Sequence, residues 1–189
     1  MTPRIPSHLA NDAEKLAHGS KTFTKFLLLL CQRFFIRLKL SFKLLAGGFK
    51  ILLKPTSHVA TAETAADGAK VIFIDPLLTK AGNEYHKAFL IAHECAHHVL
   101  GHTSEDGLSR RWVSRRAVAD QELSADCWAA EALSEAGLSA YTKMMSRQMS
   151  RSGLFSSGGY PAGIQRAAII RNCAAVGAGR RNPSSAPGG

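Results

Sequence analysis

A chain of 189 residues is long enough for one domain with a hydrophobic core and one appended segment. A hydrophobic fraction of 46% excludes a wholly disordered protein. The formal net charge of +10 comes from the two ends of the chain, because the middle is close to neutral, and basic ends are typical of a protein with an anionic partner.

The N-terminal part, residues 1–54, is predicted to be a basic, apolar-rich helical segment. Over 21–54, single Lys and Arg residues interrupt runs of Leu and Phe. This pattern fits a helix that lies on an anionic membrane surface, and it fits equally a basic helix or helical hairpin that packs on the domain. No apolar run reaches the roughly 18 residues of a spanning helix or has the form of a secretory signal, so we expect neither.

The rest of the chain is predicted to be α+β and mainly helical. Residues 55–69 are rich in Ala, Thr, Pro and Gly and are predicted to be a linker, and 71–74 is a short β-prone run. Residues 176–189 are rich in Gly, Pro, Ser and Arg, and this composition predicts a disordered tail. Hydrophobic periodicity and capping residues predict helices from about 83 through the following histidines, over about 114–135, over 139–151 and over 161–173.

The four cysteines are scattered and contain no CxxC pair. This spacing gives no support for a disulfide framework and favours free thiols in a reducing compartment. Cys95 and Cys127 are interpreted as core cysteines rather than as metal ligands. The predicted location is therefore the cytoplasm, with peripheral contact at the inner face of a membrane.

The sequence HECAH at 93–97 predicts a metal site on a helix. Residues i and i+4 project from one face of an α-helix, so His93 and His97 can bind one zinc ion. Glu94 is offset by about 100° and lies beside the metal, where a general base is needed. The apolar residues on both sides of the motif indicate a buried helix. We therefore predict one zinc ion per chain, with Glu94 as the catalytic residue.

A catalytic zinc needs a third protein ligand and an open position for water. His102 lies about 140° from His97 on the helical wheel, so we expect it to point elsewhere. Glu122, in the next strong helical pattern, is the better candidate for the ligand. Asp126 lies one turn further on the same face, where its carboxylate can support a ligating histidine. The alternative for these two carboxylates is an ordinary solvated helix surface.

His98 and His102 form a second pair with i, i+4 spacing. A second metal site is one interpretation of this pair. Surface or core histidines are the more common interpretation, and we favour it here.

The HExxH motif at 93–97 followed by ExxAD at 122–126 resembles the gluzincin clan of zinc peptidases, and within it the HtpX-like and CAAX-prenyl-endopeptidase-like group. The segment 160–166 is similar to that group's Pro- and Arg-containing segment, with Tyr160 where a His is common. The short interval between the two motifs is closer to the ImmA/IrrE-like peptidases, the second family considered. The resemblance implies a compact zincin-like domain, placed at 70–175, with a short sheet whose edge strand holds the substrate backbone. The run at 71–74 is the candidate for that strand.

These features together predict a zinc-dependent metalloendopeptidase that acts on a protein or peptide substrate. One alternative is a regulatory zinc module of the ImmA/IrrE type that acts on one protein partner. Another is a basic protein that binds membrane or polyanion and has a structural zinc, although a closed structural site has no need of a base such as Glu94. No specific nucleic-acid binding is expected. The donor to the oxyanion stays open between Tyr141, Tyr160 and Arg166.

Overall fold

A computed structural model gives the fold, and it describes residues 49–56, 58–78, 82–103, 114–154 and 159–181. Within these ranges three strands are followed by four helices, which confirms the predicted α+β, mainly helical fold. None of the helices in these ranges is both long and apolar enough to cross a membrane. The predicted N-terminal segment lies outside the described residues up to residue 48, and the predicted tail lies outside them from residue 182.

The three strands form one small sheet in the order β1-β3-β2. Strand β1, Phe49–Leu53, is parallel to β3, Lys70–Ile74. Strand β2, Ala60–Thr64, is antiparallel to β3. The central strand β3 has the most buried residues of the three, and Ile72 is completely buried in it. The two edges of the sheet are therefore β1 and β2.

Both edge strands differ from the sequence prediction. Strand β1 lies in the segment predicted to be helical, and β2 lies in the predicted linker at 55–69, so both of these predictions are wrong here. The physical reason is that strand formation depends on pairing with a neighbouring strand more than on the strand's own sequence. The predicted strand at 71–74 is confirmed, but it is central and is not the edge strand. The folded domain therefore includes residues that the sequence assigned to the N-terminal segment and the linker.

Two of the helices begin at side-chain caps. Asn83 accepts a hydrogen bond from the backbone N–H three residues later, and Ser114 does the same at the next helix. These caps fix where the helices with the predicted metal ligands begin. The four helices are α1, Glu84–Val99; α2, Arg115–Glu135; α3, Ser139–Arg151; and α4, Gly163–Arg181.

Helix α4 is longer than the sequence predicts, because it packs along α2 to its end. Gly177 lies so close to α2 that an added Cβ would be 2.3 Å from the backbone oxygen of Glu131. Arg180 extends this contact through a 2.7 Å ion pair with Glu131. The prediction of disorder in the tail is therefore wrong over 176–181, where packing on α2 stabilises the helix.

The hydrophobic core lies where the four helices meet. Helix α2 contributes alanines to it, and short side chains let neighbouring helices approach closely. Helix α2 is thereby held beside α1, which places the two predicted carboxylates near the histidines. The buried core side chains are Phe89, Ala92, Ala129, Ala130, Leu133, Met145 and Ile170.

A disulfide between Cys127 and Cys173 joins α2 to α4. The prediction of free thiols is wrong for this pair. The two cysteines are 46 residues apart, and sequence spacing carries no information about which helix faces pack together. Cys95 is a free thiol buried in α1, as predicted. A second group of ligand-type side chains, Cys127, Cys173 and Glu131, has both of its sulfur atoms in this disulfide.

Candidate metal centre

Three side chains from α1 and α2 converge on one point. The Nε2 atoms of His93 and His97 are 3.1 Å apart. The carboxylate of Glu122 lies 3.2 Å from Nε2 of His93 and 3.4 Å from Nε2 of His97. Two imidazole nitrogens and one carboxylate oxygen form the donor set of a zinc site with three protein ligands. The three predicted ligands are thus brought together in a group that can hold a metal ion.

Helix geometry and small side chains produce this convergence. His93 and His97 are one turn apart on the same face of α1. Both helices have completely buried alanines near the candidate ligands: Ala96 precedes His97, and Ala125 follows Glu122 by three residues. Because these side chains are short, the Glu122 carboxylate on one helix reaches the imidazoles on the other.

Asp126 links the metal centre to α4. Its Oδ1 lies 3.0 Å from Nδ1 of His93, on the side of the ring away from the ligand group. Arg166 donates two hydrogen bonds to the same carboxylate, at 2.7 and 2.8 Å. Burial would raise the pKa of Asp126, but Arg166 and His93 outweigh the burial and hold that pKa below its ordinary value. A charged Asp126 can therefore orient His93 in the way predicted from the sequence.

The electrostatics of the ligand group favour a positive charge. Burial opposes the protonation of His93, but the carboxylates of Asp126 and Glu122 outweigh it and raise the His93 pKa to about 10. Burial likewise opposes ionisation of Glu122, and the two histidines nevertheless lower its pKa. A buried point at which carboxylates retain their charge and stabilise a proton on an imidazole also stabilises a cation.

Glu94 is buried beside the candidate ligands and lines the same cleft as they do. Burial is the largest influence on its pKa and raises it, while the charges of His93 and His97 act in the opposite direction. The backbone N–H of Ala62 in β2 donates a hydrogen bond to its carboxylate. The sheet thus holds the Glu94 side chain, and a raised pKa brings a carboxylate closer to the range of a general base.

A cleft of about 550 Å³ opens over the three candidate ligands. The edge strand β2 and the residues before it form one wall, over 58–62, and the helices form the other. The edge strand beside the site is therefore β2, and the prediction of 71–74 for this role is wrong. Tyr160 also lines the cleft and is 42% exposed. Tyr141 instead packs against Tyr85, with ring centroids 4.9 Å apart.

The two histidines of the second pair, His98 and His102, have different contacts. Nε2 of His98 lies 3.1 Å from the Val71 carbonyl oxygen, and its Nδ1 lies 3.0 Å from the Thr103 hydroxyl. His98 is thus a core histidine between β3 and the loop after α1, as favoured from the sequence. Burial is the largest of the effects that lower its pKa to about 4.

His102 contacts the candidate ligand His97, and the prediction that it points elsewhere is wrong. Its Nδ1 lies 3.0 Å from Nδ1 of His97. The helical wheel does not apply to it, because α1 ends at Val99 and the chain then turns back at Gly101, which has a φ of +73°. A glycine adopts this left-handed conformation without strain and commonly ends a helix. Sequence spacing alone gave no signal for this contact.

No protein-family model, no curated protein and no solved structure matches the chain. The resemblance to gluzincins therefore rests on the motifs at 93–97 and 122–126, and it stays a prediction.

Proposed function

We propose that this protein is a zinc-dependent metalloendopeptidase with Glu94 as its general base. The observation that carries the proposal is the convergence of two imidazoles and one carboxylate at a point beside a separate buried carboxylate. Three protein ligands leave a position open for water, whereas a structural zinc is closed by four. A bound zinc ion supplies a Lewis acid that lowers the pKa of a coordinated water and polarises a substrate carbonyl.

The chain's own residues supply proton transfer and orientation. The Glu94 carboxylate is held by the N–H of Ala62 and takes a proton from the attacking water. It then gives this proton to the amine that leaves when the peptide bond breaks. Asp126 and Arg166 hold the His93 ring in place during these steps.

An extended peptide is the substrate that best fits the cleft. Strand β2 is at the edge of the described sheet and runs along the cleft wall. A peptide added alongside this strand gains main-chain hydrogen bonds, and these do not depend on its sequence. The substrate is therefore a segment of protein or peptide in an extended conformation.

Tyr160 is the proposed donor to the oxyanion. It lines the cleft with a partly exposed side chain, whereas Tyr141 packs against Tyr85. Arg166 also lines the cleft, but its guanidinium is held by two hydrogen bonds to Asp126. A phenol O–H at this position can stabilise the negative charge that forms on the carbonyl oxygen.

The experiment compares the zinc-loaded wild type with Glu94→Gln carrying the same metal, on a complex peptide library. We expect the wild type to cleave and Glu94→Gln to retain zinc without cleaving, because glutamine cannot accept the proton. Glu84→Gln is the matched control, since Glu84 is an exposed glutamate at the start of the same helix, and it should cleave like the wild type. Undiminished cleavage by Glu94→Gln would contradict the assigned base. Absence of cleavage by the zinc-loaded wild type would contradict the peptidase function and favour a partner-specific zinc module.

The cytoplasmic location predicted from the sequence stays a proposal, and one observation counts against it. The Cys127–Cys173 disulfide is a feature of proteins in oxidising compartments and is rare in the cytosol. Alkylation of free thiols in intact cells distinguishes a reducing from an oxidising compartment. Modification of both cysteines without prior reduction would place the protein in a reducing compartment.

A further inference from the structure

We propose that His102 is a positioning residue for the metal centre, and that it accepts a hydrogen bond from His97 and so determines which nitrogen His97 presents to the metal. This inference rests on the metal site of the proposed function. Its starting point is the 3.0 Å distance between the two Nδ1 atoms, one from each ring. Two bare nitrogens or two protonated ones would repel each other at this distance, so one of them donates and the other accepts.

The direction of the hydrogen bond follows from the ligand group. Nε2 of His97 faces His93 and Glu122, at 3.1 and 3.4 Å. When this nitrogen uses its lone pair to bind a metal ion, the single proton of the neutral imidazole is on Nδ1. The His97 Nδ1–H therefore donates, and Nδ1 of His102 accepts. The remaining proton of His102 is then on Nε2. Because His102 lines the cleft, it presents a hydrogen-bond donor there.

The loop after α1 is built to hold His102 in this place. The backbone N–H of His102 donates to the carbonyl oxygen of His97 at 2.8 Å, so the two residues are joined through the backbone as well as through their rings. Gly101 provides the left-handed turn that this return requires. Thr103 is held on the other side by His98, at 3.0 Å. The backbone at His102 is therefore held by residues on both sides of it, and its ring contacts His97.

The two ligating histidines thus have supports of different charge. His93 is supported by the Asp126 carboxylate, which is itself neutralised by Arg166. His97 is supported by a neutral imidazole, which fixes the ring without adding a further negative charge to a site that already contains Glu122 and Glu94. Loss of a supporting residue of this kind lowers metal affinity by about 10–100-fold.

The test measures zinc affinity by competition with a chromogenic chelator, at one pH and with zinc as the only metal. We expect His102→Leu to bind zinc about 10–100-fold more weakly than the wild type. His102→Asn should remain within a few-fold of the wild type, because its amide oxygen can accept at the position of Nδ1. His86→Leu is the matched control and should bind like the wild type, since His86 lines the same cleft but contacts Gln148.

A second measurement needs no variant and is independent of folding defects. Nitrogen-15 NMR of the histidine rings in the zinc-loaded wild type should show His97 bound through Nε2 and protonated at Nδ1, with His102 protonated at Nε2. A His97 bound through Nδ1, or a His102 protonated at Nδ1, would overturn the inference. Equal zinc affinity in His102→Leu and the wild type would also overturn it and leave the proposed function intact. A wild type that binds no zinc would instead refute both.

Discussion

At the scale of single residues, the Glu122 carboxylate connects α1 and α2 at the candidate metal centre. Its carboxylate is within 3.4 Å of both histidine Nε2 atoms, while the histidines belong to the other helix. It also lies 3.8 Å from Arg166, so its charge is balanced from the side of α4. Without this carboxylate the site has two ligands from one helix turn, which is fewer than zinc sites in proteins use.

We predict that Glu122→Gln weakens zinc binding by on the order of 100-fold or more, beyond the effect of losing a supporting residue. The reason is that the amide is neutral and a poorer ligand than the carboxylate. Metal content after dialysis against a weak chelator measures the effect. Asp120→Asn removes an exposed carboxylate from the same helix and should leave the metal content unchanged. An unchanged metal content in Glu122→Gln would show that the third ligand lies elsewhere.

The candidate ligands could be predicted from the sequence, because their spacing reflects a local and regular geometry. Residues i and i+4 share a face on any α-helix, so His93 with His97 and Glu122 with Asp126 could be paired before the fold was known. His102 could not be placed in this way, since it follows the end of the helix and its position depends on the turn at Gly101. The same holds for Tyr160, whose access to the cleft depends on packing between distant segments.

At the scale of elements, the packing of α4 on α2 holds Arg166 against Asp126. The disulfide, Gly177 and the Arg180 ion pair all lie along this contact. None of these contacts was predicted from the sequence, because each joins residues that are more than 40 positions apart. The edge strands β1 and β2 were missed for a related reason, since their pairing with β3 is a non-local interaction.

We predict that Gly177→Ala lowers the free energy of unfolding and that Gly179→Ala does not. An alanine Cβ at 177 would meet the α2 backbone at 2.3 Å, and a backbone cannot move aside as a flexible side chain can. At 179 nothing lies within 4 Å, so alanine there should stabilise the helix by up to about 1 kcal/mol. Chemical denaturation of both variants measures the difference. Equal stability of the two variants would contradict the close packing of α4 on α2.

At the scale of the whole molecule, the metal centre lies between the small sheet and the helices. Strand β2 contributes the cleft wall and the N–H that holds Glu94, while α1 and α2 contribute the candidate ligands. The sequence predicted the helical part of this arrangement, but it assigned the wrong strand to the wall. The order of strands in a sheet depends on chain topology, and residues 60–64 contain none of the strongly apolar alternation that marks a strand in a sequence.

An anionic membrane is the proposed partner of the basic N-terminal segment. Contact of 21–54 with an anionic membrane stays a proposal, and its described part is 49–54, which consists of β1 and Lys54. Lys50 and Lys54 are both exposed there. Binding of the full chain to anionic but not to neutral vesicles at physiological salt would support it. Equal binding to both, or to neither, would contradict it.

The proposed function requires an open, hydrolytic zinc centre with three protein ligands. X-ray absorption spectroscopy of the protein loaded with one zinc per chain tests it most directly. We expect two imidazole nitrogens and two oxygens, one from Glu122 and one from water, at about 2.0–2.2 Å. A fourth protein ligand, or sulfur at about 2.3 Å, would contradict the claim and make the zinc a structural one.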